Sequence, residues 1–217
     1  MDLRGKKIIF LGDSITEGFG ASATDKRYTD LVAQRTGAIV YNHGVGGTRI
    51  AKQKVPSNDP IWDRDFCTRA KDMEKDADII VVFGGTNDYG HGDAEIGKRG
   101  DRTNDTFYGA LHTLYTYLSE TYPKAKKVIM TPLHRIGEES AFGEHGEREM
   151  APLKTYVEII REVAEYYSYP VLDMFKNAGI QPNIPVIKEA FTVDGLHPND
   201  AGYEIIADCV ISFLKSL

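Results

Sequence analysis

Five short apolar runs rich in β-branched residues, at positions 7–11, 38–42, 78–83, 127–131 and 169–173, recur along this chain with helical patterns between them. The third, inside "DIIVVFGG", is apolar at every position rather than every second one, as a strand covered on both faces must be. Phe107, Leu111, Leu114 and Leu118 repeat at spacings of four and three, as do Leu153, Val157, Ile160, Ala164 and Tyr167. A last stripe, Ile205, Ile206, Cys209, Val210, Phe213 and Leu217, follows Pro198. These repeats put one apolar face on each helix. Strands alternating with helices demand βαβ units, and right-handed crossovers then cover both sides of a parallel sheet. The expected fold class is α/β: a three-layer α/β/α sandwich on a five-stranded parallel sheet of order 2-1-3-4-5. With no repeat, low-complexity tract or linker, residues 1–217 read as a single domain, long enough to bury roughly 70% of the unfolded surface in one core.

Composition removes several classes of function. A net charge of −6 and a pI of about 5.5 argue against nucleic acid as a partner, which needs clustered Lys and Arg. Cys67 and Cys209 form no C-x-x-C pair and are too few for a disulfide framework, so both are expected as small buried thiols. The first apolar run is too short for a signal-peptide core or a membrane span, which predicts a cytoplasmic chain.

Ligands of open α/β sheets sit beyond the carboxyl ends of the strands, where strand order reverses. Here that point lies between the first and third strands. "GDSITEG" leaves the first strand, "NHGVGGTR" the second and "GGTNDYG" the third, each carrying glycine and a polar group. Two long connections, 84–105 and 132–149, emerge at the same edge and are expected to be functional loops. Ser14 taken alone reads best as a helix N-cap. To act as a nucleophile it needs a base. Of six histidines, His112 lies in a helical pattern, and His91 and His145 sit in glycine-rich loops. His197 stands apart, because Asp194 precedes it by three residues in "VDGLHPND". A carboxylate so placed accepts the imidazole Nδ1–H and leaves Nε2 to take a proton. Donors for a developing oxyanion are available in the Ser14 N–H, the Gly47 N–H and the Asn87 amide. Asp88 is expected to brace its own loop.

Four blocks, "GDSIT", "GVGGT", "GGTND" and "DGLHP", occur in this order across nearly the whole chain. In this the chain resembles the SGNH hydrolases, the GDSL esterase/lipase superfamily. The resemblance implies a flavodoxin-like fold and a serine esterase that needs no cofactor and no metal. Ser14 would be the nucleophile, His197 the base and Asp194 its orienter, with an oxyanion hole of Ser14, Gly47 and Asn87. Gly47 is chosen over Gly44 and Gly46 by its spacing to Asn42. "GDSI" in place of GDSL and "GTND" in place of GGND or GAND are mild departures. The G-x-S-x-G elbow of the α/β-hydrolases is missing, since Thr16 stands at its second glycine.

The expected partner is a small-molecule ester, short-chain or O-acetyl, with saccharide esters favoured by analogy alone. Asp13, Trp62, Tyr89 and His134 are candidate substrate contacts, and Phe142, Arg49 and Arg102 are further candidates for the mouth. Lysophospholipase or thioesterase activity is the alternative within the same superfamily. Two other classes compete: a metallophosphoesterase using Asp13, Asp88, Asp194 and His197, and a non-catalytic module holding an anion or a carbohydrate.

Overall fold

The computed structural model describes residues 1–142 and 150–217. Strand β1 (Lys7–Gly12) runs into a one-turn helix, α1 (Ser14–Glu17), and α2 (Tyr28–Thr36) leads to β2 (Ile39–Gly44). The short α3 (Phe66–Arg69) is followed by β3 (Ile79–Phe83), α4 (Thr86–His91) and α5 (Phe107–Thr121). Then come β4 (Lys126–Met130), α6 (Leu153–Tyr166), β5 (Val171–Leu172), α7 (Met174–Asn177), α8 (Pro185–Phe191) and α9 (Asp200–Ser216).

All strand pairs are parallel and the sheet order is β2-β1-β3-β4-β5, as the alternating pattern requires. The non-alternating apolar strands are explained by burial on both faces. Ile9, Leu11, Ile80 and Val82 point into a core shared with α3, α5 and α6. Ile8, Phe10, Ile79, Val81 and Phe83 point the other way, into a core shared with α2 and α9. Each buried Leu, Ile or Phe contributes about 2 kcal/mol of transfer free energy, so the two layers hold the sheet between them.

The registers align the carboxyl ends of the three strands that matter: Gly12 lies beside Gly44 on one side and Phe83 on the other. The peptides leaving β1, β2 and β3 therefore start from one line. Two differences from the sequence expectation are local. The fifth strand spans two residues, because Pro170 has no N–H to donate and Asp173 is turned out of the sheet to cap α7. Connection 84–105 is no open loop: it begins with α4, whose glycine and polar side chains hide its helical period. Of connection 132–149, the part from 143 to 149, with His145, lies outside the described residues.

Candidate active site

Ser14 is the first residue of α1 and sits directly past the end of β1. Asp13 is the N-cap: its Oδ1 accepts the Ile15 N–H at 3.0 Å. The backbone N–H of Ser14 belongs to the set that a helix start leaves without an intrahelical acceptor. The N-cap is thus Asp13 and not Ser14, which opens the helix as its first residue, and this geometry presents both its hydroxyl and its N–H beyond the strand.

The Ser14 Oγ lies 2.9 Å from His197 Nε2. On the far side of the ring, His197 Nδ1 is 2.7 Å from Asp194 Oδ2. With Asp194 as acceptor there, Nδ1 carries the proton and Nε2 is the free acceptor facing the hydroxyl. The other oxygen of Asp194 accepts the backbone N–H groups of Leu196 and His197 at 2.8 and 2.7 Å. Burial pushes this carboxyl up, but the imidazole and the two N–H donors outweigh it and hold Asp194 below the usual carboxylate range. The turn is closed by an antiparallel bridge between Thr192 and Pro198, by Val193 N–H donating to His197 O, and by Gly195 N–H donating to Thr192 Oγ1.

A chain separation of 183 residues is bridged by packing at the start of α9. Tyr203 Oη donates to Phe19 O at 2.8 Å, and Asp200 accepts both the N–H and the hydroxyl of Ser22. These bonds carry the 194–197 turn against the segment that follows α1.

The opposite wall comes from the ends of β2 and β3. Asn87, on α4, is buried, and its Nδ2 donates to Thr48 O at 2.9 Å, which leaves its second amide hydrogen for the cleft. Asp88 does not brace its own loop, as the sequence suggested, but the segment after β2: it accepts the Ile50 and Ala51 N–H groups at 2.9 and 2.8 Å. Burial pushes its carboxyl up to about 6, against the pull of those donors and of Arg49. Gly44 passes so close to α1 that a Cβ would lie 2.0 Å from the Glu17 nitrogen. Gly47 has φ +70° and carries the Trp62 indole on its α-carbon, where a Cβ would come within 2.7 Å of the ring. Gly46 N–H is taken by Glu17 Oε2 at 2.8 Å. The Gly47 N–H has no hydrogen-bond acceptor among the described residues.

Behind these turns runs a buried guanidinium. Arg69 donates to Thr48 Oγ1 at 2.7 Å, to Gly12 O at 2.9 Å and to His43 O. It ties the ends of β1 and β2 to the loop that carries Gly47. Burial lowers its pKa to about 10, with the Asp13 carboxylate opposing. Asp13 itself is pushed up to about 6 by burial, against the Ile15 N–H, His197 and Arg69.

Ser14, His197, Asn87 and Gly47 converge on one cleft of about 320 Å³, with Trp62 and His91 on its rim. Of the expected substrate contacts, Trp62 lines this cleft and three residues do not. Asp13 is turned beneath α1 by its capping bond. Tyr89 is buried against Tyr156, and its hydroxyl donates to Gly137 O and Ser140 O. His134 is bound through Nδ1 to Glu138, with its ring tilted against Phe175 at a centroid distance of 3.8 Å. Arg49 is buried and donates to His91 Nδ1 at 2.6 Å, while Arg102 covers Tyr166 on another face. Phe142 is exposed and is no part of the cleft wall. Cys67 is buried and Cys209 partly so, both as free thiols. The residues suggested as metal ligands are spent elsewhere: Asp13 and Asp88 on backbone N–H groups, Asp194 on the imidazole. Among the described residues no three His, Cys, Asp or Glu gather as a ligand set, and no helix is long and apolar enough to cross a membrane.

Sequence reasoning missed Glu17, Phe19, Gly46, Leu196 and His91, which closes α4 rather than lying in a loop, as cleft residues, and Arg69 behind them. One signal was present for Glu17: at three residues past Ser14 it shares a helix face with that serine. For Arg69 there was none, since its three acceptors come from positions 12, 43 and 48.

The sequence profile of the GDSL-like Lipase/Acylhydrolase family matches residues 10–205. Among solved structures, a Lactobacillus plantarum protein shares 32% identity over 98% of both chains, with a TM-score of 0.83. A lipase/acylhydrolase from Enterococcus faecalis is 24% identical over 97% of this chain and 96% of its own, with a TM-score of 0.65. An acetyl xylan esterase, AlAXEase, is also 24% identical, over 96% and 99%, with a TM-score of 0.64. Among curated proteins no sequence matches the chain.

Proposed function

This chain belongs to the GDSL-like lipase/acylhydrolase family, and on that premise we propose that it is a serine esterase acting on short-chain or O-acetyl carboxylic esters. The observation that carries the reading is the relay of 2.9 and 2.7 Å from the Ser14 hydroxyl through His197 to Asp194. A hydroxyl is a weak nucleophile until a positioned base removes its proton, and the relay supplies that base in the correct tautomer.

In the proposed reaction, His197 Nε2 takes the Ser14 proton as Oγ attacks the ester carbonyl carbon. The carbonyl oxygen becomes an oxyanion and is held by the Ser14 N–H, the Gly47 N–H and the Asn87 Nδ2–H. When the C–O bond to the alcohol breaks, the imidazolium returns its proton to the departing oxygen. Water then enters with the same base, forms a second tetrahedral intermediate, and frees the acid and Ser14. Asp194 stays ionised throughout, which its depressed pKa favours, and stabilises the imidazolium.

The cleft's size supports the short-chain preference over lysophospholipids and long acyl thioesters. About 320 Å³ is at the small end of ligand pockets. Acetylated saccharides head the substrate panel, with Trp62 as a flat surface for a sugar ring.

A fluorophosphonate reagent tests the chemistry, because it reacts only with an activated serine. The expected result is one label on Ser14, absent in Ser14→Ala and slowed in His197→Ala, together with hydrolysis of 4-nitrophenyl acetate that Ser14→Ala abolishes. An unlabelled wild-type chain, or hydrolysis that survives Ser14→Ala, overturns the proposal.

A further inference from the structure

Glu17 has no part in the relay, yet its side chain lines the same cleft as Ser14. It stands on α1 one turn past the nucleophile and is exposed to solvent. One of its oxygens is anchored: Oε2 accepts the Gly46 N–H at 2.8 Å. That bond fixes the head group at the mouth and leaves Oε1 toward solvent and the cleft. Among the described residues that line the cleft, Glu17 is the only carboxylate, and there is no lysine or arginine. The guanidinium groups nearby are already paired. Arg27 donates to the Glu17 backbone O at 3.3 Å, and its charge is matched by Asp30 at 2.7 Å. Arg49 is buried beside Asp63, and its positive charge is also felt by Asp88. Arg69 is buried behind the turns with Asp13 beside it. Among the described residues, an entering substrate therefore meets one carboxylate that has no salt bridge, close to Ser14 and felt only at a distance by Arg69.

We propose that Glu17 is a specificity-determining residue that acts as a charge filter: it disfavours esters with an anionic alcohol portion and favours uncharged or cationic ones. This rests on the esterase reading for its kinetic consequence, though not for its electrostatic one. One unit charge at about 6 Å, at an effective dielectric between that of water and about 40, changes relative specificity about three- to tenfold. The anchored carboxylate also presents Oε1 as an acceptor for a substrate hydroxyl, a group that neutral polyol esters supply.

Two readouts separate this filter from the esterase reading. Trp62 is the only tryptophan in the chain and lines the same cleft, so collisional quenching of its fluorescence reports local charge without turnover. In Glu17→Gln, which retains an acceptor for the Gly46 N–H, iodide quenching should rise and caesium quenching should fall, with acrylamide quenching as reference. The second readout is kcat/KM for three acetyl esters of similar size: acetylcholine, its neutral isostere 3,3-dimethylbutyl acetate, and anionic 3-sulfopropyl acetate. The anionic-to-neutral ratio should rise about three- to tenfold in Glu17→Gln, rise further in Glu17→Lys, and converge with that of the wild type in about 1 M salt, where the Debye length is about 3 Å. An unchanged quenching ratio overturns the filter. So does an equal loss on all three esters, which would make Glu17 a brace for the Gly46 turn and nothing more. A shifted quenching ratio with no hydrolysis of any ester would leave the filter standing and sink the esterase reading instead.

Discussion

The two walls of the cleft are built in opposite ways. The wall that carries Ser14, Gly47 and Asn87 is woven into the sheet ends by buried polar groups: Asp13, Asp88 and Arg69 each bind backbone from other segments or from the helix start. The wall that carries His197 is a local turn. Asp194, whose side chain is 45% exposed, spends its bonds within four residues of itself. The difference teaches that Ser14, Gly47 and Asn87, the proposed nucleophile and oxyanion donors, are held by the fold, whereas His197, the proposed base, is held by its own turn and delivered by α9. Damage to the first wall should appear in stability and activity together, and damage to the second in activity alone.

The largest expected effect lies in the exposed turn. Asp194→Asn should lower kcat by up to about 10⁴-fold through the wrong imidazole tautomer, while the thermal midpoint moves less than in any variant of the opposite wall. A large drop in that midpoint would erase the contrast. Next comes Arg69→Met, which removes the guanidinium donor from His43 O and Thr48 Oγ1 and leaves Gly12 O with the Val45 N–H alone. It should cost about 3–5 kcal/mol in urea unfolding and lower activity as well. Asn87→Ala is intermediate: about 10²–10³-fold in kcat with little change in KM, and about 1 kcal/mol of stability from the lost bond to Thr48 O.

The smallest effect is a pH signature of the buried wall. Asp13 has a folded pKa of about 6, raised from 3.8 by burial. A raised folded pKa means that the folded state binds the proton more tightly, so the contribution is full below pH 3.8 and is lost as pH rises through about 6. Relative to Asp13→Asn, which lacks this titration, the wild type should gain about 2 kcal/mol of unfolding free energy between pH 7 and pH 4. Paired urea titrations at the two pH values measure it. A difference that is flat with pH would mean that Asp13 is less buried than its capping position places it.

Much of this arrangement is legible in the residues alone. Apolar strands without alternation can be satisfied only by two covering layers, which dictates the parallel sheet and puts Ser14 and Asn87 on either side of the strand-order reversal. The spacing of Asp194 and His197 is local, so their bond can be read directly from "DGLHP". Tyr89 and His134 misled because aromatic and imidazole groups near a loop satisfy their polar atoms on whatever backbone or carboxylate lies closest. Proximity in sequence to the cleft did not turn them toward it. Glu17 and Trp62 show the converse: their places on the rim follow from contacts with Gly46 and Gly47, a turn thirty residues or so from one and about fifteen from the other.

By itself the amino-acid order determined the strand and helix succession, the four chemical blocks and the pairing of imidazole with carboxylate, because each depends on neighbours a few positions apart. Only the tertiary structure decided that His197 meets Ser14, that Arg69 stitches the strand ends, and that Glu17 is the one carboxylate among the described residues lining the cleft. Those contacts join positions far apart along the chain, and they form only once two hydrophobic layers have closed on the sheet and brought α9 against the segment after α1.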